Sequence, residues 1–215
     1  MKTKTLFPTL VLTLLFAGCD WHHVRGNGET KTETRPVSAF TQIEASGYYE
    51  LEWSPGNPSL SITTDENLLS HISTSVQGSQ LKIDIDGPIA PSHGITIIVS
   101  SPSLTTAELS GAVDFTAKPI NGAKFSLETS GAAKVNLGGK VSRLLANLTG
   151  ACKLEAADLS TDDVELSVTG AGRADVTVAN SLRAAITGAG KVTYGGNPKT
   201  VDRNVMGAGK IEPRD

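Results

Sequence analysis

SVTGAGRADV (residues 167–176) is one of six near-copies of a single phrase. The others are ELSGAVDFTA (108–117), ETSGAAKVNL (128–137), NLTGACKLEA (147–156), AITGAGKVTY (185–194) and NVMGAGKIEP (204–213). Their glycines fall at 111, 131, 150, 170, 188 and 207, a period of 18 to 20 residues. A unit that short cannot bury its own apolar side, so the copies must stack on one another.

The columns of the repeat say how. Two residues before each glycine stand Leu109, Thr129, Leu148, Val168, Ile186 and Val205. Four after stand Phe115, Val135, Leu154, Ala174, Val192 and Ile211, and six before stand Thr105, Phe125, Leu144, Val164, Leu182 and Val201. Even spacing of largely apolar positions is strand alternation with one face turned inward. The Gly-Ala step between two such strands is a corner, where glycine permits a backbone that other residues resist, and the alanine reads as a side chain confined there. Strand, corner, strand and return within one period make one coil of a parallel β-helix. A left-handed hexapeptide helix would hold strict multiples of six, and the drift in period points to the right-handed kind. The expected fold is all-β: a single-stranded right-handed parallel β-helix with a less regular N-terminal part.

That part spans Phe40 to Leu109. Residues 40–53 alternate and carry an early relative of the repeat at Gly47. Strands are expected at Leu60–Thr63, Ile72–Val76, Leu81–Ile85 and Ile95–Val99, with a hairpin turn at Gln77-Gly-Ser-Gln80. Residues 65–71 read as one short helix capped by Asp65, and Pro88, Pro91 and Gly94 as a loop.

The N-terminus is read as a leader. Lys2 and Lys4 precede an apolar run, Leu6–Phe16, of the length of a signal-peptide core. It ends in Leu15-Phe-Ala-Gly-Cys19, which resembles the lipobox of bacterial lipoproteins. The resemblance implies a signal peptide over 1–18, acylation of Cys19, and a membrane partner through that residue. Acyl chains contribute about 0.8 kcal/mol per buried methylene, enough in multiple copies for durable anchoring. Asp20 follows the cysteine, and the leaflet is left open. Residues 19–36 are expected to form a polar tether, His22-His23 a solvated linker pair, and 37–215 one domain. If Cys19 is acylated, Cys152 is left single, and its column (Val113, Ala133, Gly172, Gly190, Gly209) marks it as a small packed side chain.

A formal net charge of -3 gives no reason to expect a nucleic-acid partner. Aromatics at 5% and 22 glycines suit thin stacked β structure. The repeated Ser/Thr-Gly-Ala-Gly-Lys-Val pattern is preceded by Arg35-Pro-Val-Ser-Ala-Phe-Thr-Gln-Ile-Glu-Ala-Ser-Gly47 and Leu60-Ser-Ile-Thr-Thr-Asp-Glu-Asn-Leu-Leu69. Together, over about Thr34 to Ile211, they resemble the bacterial head GIN domain, labelled "putative auto-transporter adhesin". The resemblance implies a β-helical envelope protein and brings no catalytic residues.

The candidate site is one column. Three residues after the glycines stand Asp114, Lys134, Lys153, Arg173, Lys191 and Lys210. In register, the five basic groups would form a row one strand spacing apart, a footprint for an anionic ligand. Two residues further on stand Thr116, Asn136, Glu155, Asp175, Thr193 and Glu212, whose acidic members could neutralise the row into a solvated ladder. An enzyme is not expected: the pairs Asp84/Asp86 and Asp162/Asp163 lack partners, His71 and His93 lie in unrelated contexts, and neither metal-ligand spacing nor a cofactor loop is present. The reading is a lipid-anchored, non-catalytic binding or adhesion module of the cell envelope that presents a long β face, with acidic polysaccharide, lipopolysaccharide phosphate or another cell's surface polymer as the anionic ligands the row would suit. The alternatives are an envelope structural or signalling accessory that binds another protein and, third, a β-helical polysaccharide-active enzyme. The oligomeric state is left open, with contact between solenoid ends as one arrangement.

Overall fold

The computed structural model describes residues 23–214. The leader, Cys19, Asp20 and His22 lie outside the described residues. The strands in chain order are β1 (Val24–Arg25), β2 (Thr30–Arg35), β3 (Gln42–Gly47), β4 (Glu50–Pro55), β5 (Ser59–Asp65), β6 (Ile72–Gln77), β7 (Gln80–Ile85), β8 (Ile89–Ala90), β9 (Thr96–Ser101) and β10 (Thr106–Gly111). Longer runs follow: β11 (Asp114–Gly131), β12 (Lys134–Gly150), β13 (Lys153–Gly170) and β14 (Arg173–Gly188). The last are β15 (Lys191–Gly195), β16 (Thr200–Gly207) and β17 (Lys210–Pro213).

From β10 onward the chain is a parallel β-solenoid of about five turns, the fold class expected. Each glycine pairs with the glycine of the next coil, from Gly47 and Gly111 through Gly131, Gly150, Gly170 and Gly188 to Gly207. The inward columns are buried, with Phe115, Phe125, Val135, Leu144, Leu148, Leu154, Leu182, Ile186 and Val192 at 0–1% exposure. Each buried aliphatic or aromatic side chain contributes about 1.5–3 kcal/mol. One core therefore runs the length of the axis.

The corner explains the glycines twice over. Gly170 has φ +112°, and a Cβ there would lie 2.6 Å from the Gly150 carbonyl oxygen one coil below. The same approach recurs at Gly111, Gly131, Gly150, Gly188 and Gly207, at 2.3 to 2.6 Å. The alanine after each glycine is not confined, as the sequence had suggested. Ala112, Ala132, Ala151, Ala171, Ala189 and Ala208 are all exposed, and each donates its N–H to the previous coil's glycine carbonyl at 2.8–3.0 Å. Cys152 is buried, as its column implied, with Sγ 3.3 Å from the Thr149 carbonyl.

The N-terminal part is built out of chain order. β3 and β4 form the coil beneath β10 and β11. Residues 56–104 leave that coil and return to it, and within them β7 lies parallel beside β3 and β9 parallel beside β4, making a further rung. Antiparallel strands then close this end. β6 covers β7 through the turn at Gly78 (φ +61°), while β5 covers β9 and β2 covers β5.

Two expectations are corrected here. The tether is shorter than 19–36, because β2 pairs along its whole length with β5 and β1 pairs with β8. A polar strand with no inward apolar side reads as linker, yet it is what the outer edge of a sheet requires. Asp65 does not cap the following 3-10 helix (Glu66–His71), which has no side-chain cap. Its carboxylate instead accepts the Gly28 and Ser92 N–H groups, both at 2.7 Å, tying the first strands to the 88–94 loop.

Candidate functional site

The basic column is straight. β11 to β17 align Asp114 with Lys134, Lys134 with Lys153, Lys153 with Arg173, Arg173 with Lys191, and Lys191 with Lys210. Coils of 18 to 20 residues stay aligned here because the register shifts are taken up past this strand. They fall between Ala117 and Ile120, Asn136 and Gly138, Ala156 and Ser160, and Thr161 and Asp163. The glycine-to-column distance never changes, so all five cations point outward from neighbouring strands about 4.8 Å apart. Toward the N-terminal end the column continues as Asp114, Glu50 and Thr96, turning from basic to acidic.

Three of the five cations are tied to carboxylates. Lys134 Nζ lies 3.2 Å from Asp114, Lys153 2.6 Å from Glu155 and Lys191 2.6 Å from Glu212. The hydrogen bond from Lys153 holds the Glu155 carboxyl below its ordinary value, aided by the charges of Lys153, Lys134 and Lys118. Lys191 does the same to Glu212, chiefly through its hydrogen bond. Asp175, the acid nearest Arg173 in sequence, is engaged by the Arg214 guanidinium, which also donates to the Val176 carbonyl. That leaves Arg173 and Lys210 without an ion-pair partner among the described residues. The paired heads are a third to a half exposed, and such pairs are worth only about 0.2–1 kcal/mol each. A ligand can therefore exchange with the internal carboxylates at little cost. Lys153, Glu155, Arg173, Asp175, Lys191 and Thr193 line one shallow open depression on this face.

A second ladder was missed in the sequence. Three residues before the glycines, Glu44, Glu108 and Glu128 stack directly and are followed by Asn147. Lys82, aligned with Glu44, closes the row at 3.3 Å from Glu44 and 3.4 Å from Asp84. Counting that column as the basic one was counted would have revealed it. Acid thus gathers beside the corner in the N-terminal coils and base across it in the C-terminal coils.

The remaining candidates are dispersed. Asp84 pairs with Lys82, Asp163 accepts from Asn180 at 2.9 Å, and His71 Nδ1 faces the Asp86 carbonyl at 3.3 Å. No group of three His, Cys, Asp or Glu among the described residues is placed to hold a metal ion.

Fold and ladders together define a parallel β-solenoid with regular charged columns on its outer face, the longest of them basic. The chain belongs to the family described as "Putative auto-transporter adhesin, head GIN domain", whose model matches residues 39–198. No curated protein matches the chain. Among solved structures it is similar to a protein from Bacteroides fragilis described as a "putative adhesin", with TM-score 0.76, 19% identity, and coverage of 89% of this chain and 100% of that one. It is also similar to a "putative lipid binding protein" from Parabacteroides distasonis, with TM-score 0.58, 20% identity, and coverage of 90% and 100%. A third is a "putative adhesin" from Parabacteroides merdae, with TM-score 0.58, 21% identity, and coverage of 90% and 99%. At these identities the likeness is one of fold.

Proposed function

We propose that this protein is a non-catalytic binding module of the bacterial cell envelope, anchored through an acylated Cys19, that holds anionic surface polymers on the strip Lys134, Lys153, Arg173, Lys191 and Lys210. The observation that carries the reading is the unbroken register of five cations along one outward column. Like charges on neighbouring strands oppose folding, and a polyanion laid along them removes that opposition. The adhesin descriptions of the family and of the similar structures agree with a surface-binding role.

The test is binding of the full chain in detergent to acidic and neutral polysaccharides at two salt concentrations, beside a variant with Lys153, Arg173 and Lys191 changed to Glu. Binding to the acidic members alone, weakened by salt and lost in the variant, is expected. Equal binding by the variant would end the reading. Anchoring is tested by mass spectrometry of membrane-extracted protein. A mature chain starting at acylated Cys19 is expected, and Cys19→Ser should move the protein out of the membrane fraction.

A further inference from the structure

The ion pairs along the strip are not uniform, and their pattern selects a ligand. Lys134, Lys153 and Lys191 each hold a carboxylate of the protein. Arg173 and Lys210 have no ion-pair partner among the described residues. They share one column with Lys191 between them, so they stand two strand spacings apart, roughly 10 Å. Resting on the reading above, we infer that the strip binds a linear acidic glycan with one carboxylate per disaccharide. The glycan runs along the solenoid axis, with successive carboxylates on Arg173 and Lys210.

The chemistry fits at three points. Two strand spacings come to roughly 10 Å, a length that two linked pyranose rings can span, so a charge on every second sugar can meet every second coil. The Arg173 guanidinium presents a planar fork that takes a carboxylate by two parallel hydrogen bonds, and Lys210 supplies a point charge. The intervening rung offers the Thr193 hydroxyl and Lys191, whose ammonium pairs across to Glu212 on the Lys210 rung, groups suited to the hydroxyls of an uncharged sugar. An anionic membrane is the weaker occupant. Surface-bound elements add apolar insertion to charge, and the exposed large apolar residues Val24, Tyr48, Ile98, Val205 and Met206 include none on the two strip columns from Lys134 to Glu212.

The probe is hyaluronan, in which uronate alternates with a neutral hexosamine, used as purified di-, tetra- and hexasaccharides with the full chain. The tetrasaccharide, carrying two carboxylates, should bind about tenfold more tightly than the disaccharide. Arg173→Gln or Lys210→Gln should each bring the tetrasaccharide to the disaccharide level. Arg183→Gln, the same charge change away from the strip, should leave binding unaltered. An unshifted melting temperature shows that the variants remain folded. Equal affinity for di- and tetrasaccharide, equal loss in Arg183→Gln, or equal binding of polyglutamate overturns the register and leaves the strip a general polyanion surface. Binding to vesicles containing anionic phospholipid and to no glycan overturns it in favour of a membrane-facing strip. Failure to bind any polyanion removes this inference and the proposed function together.

Discussion

At the residue scale the glycine corner is the most constrained feature. A side chain at Gly170 meets both a φ of +112° and a carbonyl 2.6 Å away that belongs to backbone and cannot move aside. Gly170→Ala should destabilise the protein by about 2 kcal/mol or more, read by urea denaturation. Gly78→Ala, at φ +61° with nothing near its Cβ, should lose only the left-handed strain of about 1 kcal/mol. Thr129 is an opposite case. It occupies an inward column otherwise largely aliphatic, and its hydroxyl is buried with no hydrogen-bond partner among the described residues. Thr129→Val keeps the shape and removes the orphan, so it should stabilise by about 1 kcal/mol. A loss of stability would show that the hydroxyl has a partner. Asp65 carries a pH dependence. The N–H of Ser92, and then that of Gly28, hold its carboxyl below the ordinary value, against an opposing push from burial. A depressed value means the stabilisation is present above the unfolded pKa of about 3.9 and disappears as pH falls through the folded one. The stability gap between the wild type and Asp65→Asn should therefore be widest near neutrality and close in acid.

At the element scale the two ends of the solenoid are finished differently. The N-terminal end carries antiparallel cover strands, and its outermost, β2, is almost wholly polar. At the other end β16 leaves Val205 at 40% and Met206 at 61% exposure. Here the inward column four before the glycine, which holds Ala107, Leu127, Ala146, Leu166 and Ala184, ends in Arg203. Its guanidinium lies 5.4 Å from the Tyr194 ring centroid and donates to the Tyr194 hydroxyl. An inward-pointing charge on a terminal strand deters edge pairing. Arg203→Leu should therefore increase concentration-dependent association in light scattering, with the fold retained. Counting four residues before each glycine brings Arg203 to the end of this apolar column in the sequence itself.

Over the whole molecule, charge is graded along the axis, with Glu44, Glu108 and Glu128 toward one end and Lys134 to Lys210 toward the other. A gradient of this kind orients a polyanion before contact. Most of the fold and the basic column were legible because a repeat repeats its own geometry: once the glycine is fixed as a corner, every position counted from it is fixed too. The straightness of the column was not legible, because coil lengths differ and only the structure shows where the surplus residues go. The sequence by itself determined the strand alternation, the coil period, the glycine corners and the outward basic row, since each depends on neighbours a few residues apart. Only the tertiary structure decided that β7 and β9 form a rung beneath earlier strands, that Asp65 joins distant loops, and that Arg173 and Lys210 alone of the row lack an ion-pair partner among the described residues. Those outcomes depend on which groups meet through space, and no periodicity along the chain encodes that.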